Sequence, residues 1–321
     1  MGCEPRRLVD SSWRLMDIAA MAKATMTDSA QSPSYEIVAP AQWTAPAVFN
    51  SPHSGRHYTR GFLQQSKLSP QALRKSEDCY VDELFMACTD FGAPLLRVHA
   101  PRSYIDLNRE PYELDPRMFS ADLPGYVNSA SPRVAGGLGT IPRLVAEGED
   151  IYRGRLDFSE ALHRIERIYV PYHRSLSALT GEVMAKVGQV LLIDCHSMPA
   201  SATHHVVPAT TGQIDVVLGD RFGASCGENL TAMVEDLLRR EGLRVLRNKP
   251  YAGGFITQNH GAPLRGRHAL QIEINRALYM DEATLEKSGD FAALKDALGR
   301  VMAKLLPDLE ILFTPHQLAA E

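Results

Sequence analysis

No stretch of this sequence approaches the ~18 consecutive apolar residues that a membrane-spanning helix needs. Its start, MGCEPRRLVDSSWRLMDIAAMAKATM, also lacks the continuous apolar segment and small-residue cleavage site of a secretory signal. The opening MGC resembles a lipidation signal, but position 6 is Arg rather than Ser or Thr, so the myristoylation pattern is incomplete. A membrane role is therefore not expected. Basic charge is scarce too: 34 Lys and Arg face 38 Asp and Glu, for a net charge of −4, which gives no broad cationic field to neutralise a phosphate backbone. Nucleic acid is not an expected partner, whereas a small anion held by local arginines is. Cysteine is sparse as well. Cys3, Cys79, Cys88, Cys195 and Cys226 form no CxxC pair, and the odd count argues against a disulfide framework, so a reducing cytoplasm is the expected compartment.

What is present is an ordinary globular mixture, 45% apolar and 22% charged over 321 residues. Residues 1–34 mix small and polar side chains with methionines and read as a poorly ordered extension. Residues 35–321 contain no long linker, repeat or charge block and read as one domain. Within it, β-rich runs alternate with helical ones. PAVFNSPHSG, APLLRVHAP, QVLLIDCHSMP, DVVLGD, LRVLRN and HALQIEIN read as strands. Helices are predicted from Ser69 to Gly92, with Ser69 and Pro70 as cap and first turn, through DFSEALHRIERIYVPYHRSLSALTGEVMAKVG, where Pro171 threatens an interruption, and in GENLTAMVEDLLRREG. The alternation predicts an α/β fold, a three-layer α/β/α sandwich around a mixed, largely parallel sheet, with ligands collecting at the carboxyl ends of strands.

Reactive side chains cluster at those ends. Val190 to Ile193 run into Asp194, Cys195, His196 and Ser197, and His53 follows another strand between Pro52 and Ser54-Gly55. Each reads alone as a hydrogen-bonded loop histidine. Together they are able to bind one divalent zinc with a carboxylate as third ligand and a fourth position for water. Glu273 interrupts the apolar strand LQIEIN, either as a buried base or as a carboxylate turned outward, since Gln271, Glu273 and Asn275 alternate. RSYIDLNREP brings Arg102, Asp106, Asn108 and Arg109 close together, as a clamp for a carboxylate or as a solvated, salt-bridged loop. Cys195 adjoins His196, but neighbouring strand residues point to opposite faces, which disfavours a thiol and base pair.

The segments NSPHSG, EDCYVDELF, YIDLNREP, PYHRSL, LLIDCHSMP, DVVLGDRFGASC, YAGGFITQNHG and LQIEINRALYMDE, in this order over residues 46–282, resemble the N-formylglutamate amidohydrolase family. That resemblance implies a zinc-carboxypeptidase-like fold and hydrolysis of an N-acyl amino acid, with N-formyl-L-glutamate giving formate and glutamate as the best-known case. It implies His53 and His196 as zinc ligands, Glu273 as general base, and Asn108 with Arg109 as the pair that holds a substrate carboxylate. In the wider peptidase superfamily a glutamate ligand follows the first histidine by three residues. Arg56 stands there in this chain, so the carboxylate must come from elsewhere, and Asp78 is preferred over Glu77 and Asp82. Zn2+, or another divalent transition metal, would activate water, Glu273 would shuttle the proton, and Arg143 or Arg102 would stabilise the oxyanion. Arg265 or Arg267 is the candidate for a second carboxylate anchor, Asp194 for orienting a ligand, and histidine breakdown is the implied pathway. Two rivals make different predictions. A cysteine-dependent amidohydrolase using Cys195 or Cys226 would be indifferent to chelator, and a non-catalytic N-acyl amino acid binder would show no turnover. Acyl group, amino-acid specificity and oligomeric state are not legible.

Overall fold

A computed structural model of the chain describes residues 33–145, 148–204, 206 and 212–313. The chain parts into Met1–Pro33 and Ser34–Glu321, and the description below concerns the second unit. The expected N-terminal extension lies almost wholly outside the described residues.

Seven strands form one sheet: β1 (Tyr35–Val38), β2 (Ala47–Ser51), β3 (Leu95–Val98), β4 (Val190–Met198), β5 (Val216–Gly219), β6 (Val245–Arg247) and β7 (Arg267–Asn275), in the order β1-β3-β2-β4-β7-β5-β6. The pairs β2/β3, β2/β4, β4/β7 and β5/β6 are parallel, while β1/β3 and β5/β7 are antiparallel, so the sheet is mixed and largely parallel. The centre is the pair β4 and β7, nine residues each and matched along their whole length. Every residue of β4 is buried, as an apolar run covered on both faces requires.

Alternation along β4 divides the core. Leu191, Ile193 and Cys195 pack with the helices Glu228–Arg240 and Phe291–Phe313. Val190 and Leu192 pack with Tyr172, Leu176 and Leu179 of the helix Val170–Val187 and with Ile256 of the helix Phe255–His260. Helices therefore cover both faces, and the three-layer α/β expectation holds.

Two helical expectations need correction. Pro171 does not end its helix: Phe158–Arg164 continues through a π-helical turn, Ile165–Tyr169, into Val170–Val187. Proline offers no N–H, and the wider register, in which Val170 N–H donates to the Ile165 carbonyl, bridges the entry to it. The single helix expected from Ser69 to Gly92 is instead three short pieces, Pro70–Arg74, Val81–Leu84 and the 3-10 turns Met86–Phe91. Ser69 does cap the first, accepting from Ala72 N–H at 3.2 Å. The chain then leaves helical geometry: Asp78 N–H donates to the His53 carbonyl at 3.0 Å, and Tyr80 takes a left-handed φ of 63°. This break carries Asp78 to the end of the sheet. β1, the helix Phe255–His260 and the 23-residue helix Phe291–Phe313 were not anticipated.

Candidate metal centre

The register of β4 and β7 sets His196 directly beside Glu273. Both lie on the face that also carries Val190, Leu192 and Asp194, so Cys195 points away into the opposite core layer. His53 arrives from β2, the other neighbour of β4, on a turn that the Ser51 to Ser54 hydroxyl hydrogen bond closes at 2.8 Å. The turn is pressed against the chain after β3: a Cβ on Gly55 would lie 2.1 Å from the Ala100 carbonyl oxygen. Only glycine fits there.

His53, Asp78 and His196 converge, offering one ligand atom each, all within 4.8 Å of one another and all buried. Asp78 Oδ2 lies 3.0 Å from His196 Nδ1 and 3.4 Å from His53 Nδ1. His53 Nδ1 has no hydrogen-bond partner among the described residues. The far nitrogen of each ring meets a carboxylate: His53 Nε2 with Asp106 Oδ1 at 2.7 Å, His196 Nε2 with Asp194 Oδ2 at 3.0 Å. Two imidazoles, each held from behind by a carboxylate and each aiming Nδ1 at one aspartate oxygen, make a donor set that fits a small divalent ion such as zinc.

The electrostatics follow from burial and these contacts. Burial alone would raise the Asp78 carboxyl, but the adjacent His196 and His53 imidazoles hold it well below the usual range. Burial opposes charge on His196, yet Asp194 and Asp78 overcome it and raise its pKa well above the ordinary value. Glu273 is buried, so the outward reading of that carboxylate is wrong. Burial, aided by the charges of Asp78 and Asp194, pushes it up to about 7 against the opposing pull of His196 and Arg102. Gln271 Nε2 donates to Glu273 Oε1 at 2.7 Å, which fixes one carboxylate oxygen.

Of the other carboxylates considered, Glu77 is taken up by Tyr58, Arg74 and Cys79 and Asp82 by Arg56 and Arg97. Arg56, in the position where a ligand would stand in the wider superfamily, turns instead to Asp82 and Glu83. Arg102 Nε donates at 3.0 Å to Asp106, the carboxylate behind His53, and its pKa is raised, against burial, by the charges of Asp106, Asp78 and Glu273. Asn108 is committed to the framework: Nδ2 donates to Asp194 Oδ2, the carboxylate behind His196, at 3.5 Å, and Oδ1 accepts from Ile256 N–H at 2.8 Å. Arg109 spends Nε on the Leu138 carbonyl and Nη1 on that of Asn108. Arg143 pairs with Asp115 and Asp150, neither of them a member of the triad. Arg265 lies just before β7 and Arg267 at its start, and the six steps along the strand from Arg267 to Glu273 correspond to about 20 Å. These two are therefore at the wrong end of the strand to anchor a substrate beside Glu273. The thiols are equally remote from catalysis: Cys195 and Cys226 are fully buried, and burial pushes Cys226 up to about 12 and Cys195 well above its usual value.

The family model described as N-formylglutamate amidohydrolase matches residues 45–280, a span that includes the triad, Asp106, Asp194 and Glu273. The chain belongs to this family. Among solved structures, the N-formylglutamate amidohydrolase of Ralstonia eutropha superimposes with a TM-score of 0.82 at 33% identity, covering 87% of this chain and 99% of that one. A gene product of Agrobacterium tumefaciens shares the fold, with a TM-score of 0.60 at 19% identity, covering 87% and 97% of the two chains. The N-formylglutamate deformylase of Pseudomonas aeruginosa is 28% identical over 283 residues, 85% of this chain and 96% of the relative.

Within this family framework, sequence reasoning missed several residues that hold the site. Asn50 donates to Asp194 Oδ1 at 2.7 Å and accepts from the Tyr172 hydroxyl. Ser197 and Arg276 both donate to Asp78 Oδ1. A signal existed for Arg276, an arginine directly after the strand that carries Glu273.

Proposed function

We propose that this protein hydrolyses N-formyl-L-glutamate to formate and L-glutamate, using a divalent metal, zinc first, held by His53, Asp78 and His196. The observation that carries the reading is the convergence of three buried donors, with His53 Nδ1 lacking any other partner among the described residues, beside a buried glutamate near neutrality. The substrate comes from the relatives, whose names specify deformylation of N-formylglutamate. Zinc bound there would polarise the formyl carbonyl and acidify water at the site. Glu273 is the proton carrier: near 7 it takes a proton from the attacking water and returns it to the departing amine. Asp106 and Asp194 hold the imidazoles in the tautomer that leaves Nδ1 free to donate its lone pair. Arg102, a quarter exposed and with only Nε engaged by Asp106, is the cation available for the oxyanion or a substrate carboxylate. Asn108 supports Asp194, behind His196, rather than the substrate, and Arg143 has no part in this reading. The reaction would belong to histidine breakdown, and the four buried free thiols suit a reducing cytoplasm. Among the described residues no helix is long and apolar enough to cross a membrane.

The test is metal content together with hydrolysis of N-formyl-L-glutamate, for the wild type and His196→Ala, before and after chelation. About one metal ion per chain, with turnover lost in the variant and on chelation, is the expected result. Turnover indifferent to chelator sinks the metal reading. Bound metal without turnover on any N-acyl amino acid would support a binding protein instead.

A further inference from the structure

The two oxygens of Asp78 are divided between two tasks. Oδ2 faces the imidazoles, whereas Oδ1 accepts from Arg276 Nη2 at 3.1 Å and from the Ser197 hydroxyl at 3.3 Å. Arg276 is itself fully engaged. Its Nε donates to Ser197 Oγ at 3.1 Å, Nη1 to the Lys75 carbonyl at 3.3 Å and Nη2 also to the Glu77 carbonyl at 2.8 Å, and its side chain is only 9% exposed. One planar guanidinium thus ties the broken-helix loop that bears Asp78 to the paired ends of β4, next to His196, and β7, three residues past Glu273.

We propose that Arg276 is a positioning residue that clamps Asp78 so that it presents a single oxygen to the metal, Ser197 being the second jaw. The proposal rests on the metal reading above and goes beyond it by saying how the carboxylate ligand, which comes from an irregular loop, is held. The loop fixes the Asp78 backbone but not its carboxylate: turn hydrogen bonds after the helix Pro70–Arg74 end at Glu77, Asp78 N–H donates to the His53 carbonyl, and the next helix starts at Val81. A carboxylate with both oxygens free would swing to chelate the ion with both. With Oδ1 committed to two donors, only Oδ2 remains, which leaves room at the ion for water and substrate. Lysine cannot replace the clamp, since a single ammonium cannot span Asp78, Ser197 and two backbone carbonyls in the fixed directions of the guanidinium fork.

The experiment measures zinc affinity by chelator competition on the metal-free full-length protein, for the wild type, Arg276→Met, Arg276→Lys, Ser197→Ala and Leu309→Ala. The last truncates a fully buried side chain of the helix Phe291–Phe313 and so reports what loss of stability alone does to affinity. Arg276→Met is expected to weaken zinc binding by about 10–100-fold, with Arg276→Lys and Ser197→Ala in between and Leu309→Ala within about twofold of wild type. Cobalt(II) in place of zinc gives a second reading. A carboxylate that becomes bidentate raises the coordination number, so the visible absorption of the Arg276→Lys complex should weaken relative to wild type. Should Arg276→Met fail to fold, Arg276→Lys and Ser197→Ala carry the same test. Zinc affinity and cobalt spectrum unchanged in the arginine and serine variants, or an equal loss in Leu309→Ala, would overturn the clamp alone. A wild type that binds neither metal would overturn the clamp and the metal reading together.

Discussion

At the scale of single residues, Glu273 shows how burial moves a carboxyl toward neutrality. Its carboxyl rises from an ordinary 4.5 to about 7 because burial disfavours the charged form. The folded protein therefore binds a proton there that the unfolded chain has released, and the linkage runs one way: the contribution to stability is present below about pH 4.5 and is lost as pH rises through 7. Glu273→Gln is neutral at every pH and keeps an oxygen for the Gln271 amide. The metal-free variant should match wild type in urea unfolding at pH 4.5 and exceed it at pH 8.5 by up to about 3 kcal/mol, while losing about 10²–10⁴-fold in turnover. A variant less stable than wild type at pH 8.5 would mean that the ionised carboxylate is better satisfied than its burial implies.

Elements decide which of several similar residues reaches the site. His53 and His196 were legible because short apolar runs end in them, and a strand that stops at a sheet edge delivers its last side chains to one place. The choice of Asp78 among three acidic neighbours depends on a break in a segment whose periodicity reads as helix. That break is made by a long-range hydrogen bond to the His53 carbonyl, for which the local sequence has no sign. Asn108 was legible as a polar residue in the right loop but not in its direction, because its partner Ile256 N–H lies on a helix 148 residues away. The turn that bears His53 is the element most sensitive to a single atom. A methyl group at Gly55 meets backbone on the other side, Ala100 O at 2.1 Å and the His99 carbonyl carbon at 2.7 Å, so neither can yield by a side-chain rotation. Gly55→Ala should therefore cost about 1–3 kcal/mol in urea unfolding. It should also weaken zinc binding, measured by chelator competition, because the strand and the loop after β3 must part to admit it. Retained stability and affinity would show that the turn has slack.

For the molecule as a whole, the layer opposite the thiols contains a second titratable feature, on helices rather than on the strands and loop that carry the triad. His173 and His260 lie on the two helices that cover the sheet on the side of His196, and His173 packs against Tyr169 and Phe255. His173 Nε2–H donates to the Leu107 carbonyl at 2.9 Å, while His173 Nδ1 and His260 Nε2 have no partner among the described residues. Burial lowers His173 to about 4 and, with the like charge of His173 added, His260 to about 3. Here the linkage sign is opposite to that of Glu273. The unfolded chain takes up protons near pH 6.5 and the folded one refuses them, so this contribution to stability is complete above 6.5 and falls as pH drops toward 4 and 3. Other groups titrate over the same range, so the informative quantity is a difference between two proteins. His260→Met, close in volume and without charge, should resemble wild type in urea unfolding at pH 7.5 and gain on it by up to about 2 kcal/mol at pH 5, where one proton is withheld over 1.5 pH units. Parallel losses in the two proteins would mean that His260 takes up its proton without unfolding, and acid sensitivity would then have to originate at carboxylates held well below their usual range, Asp78 first, rather than in the helical layer behind them.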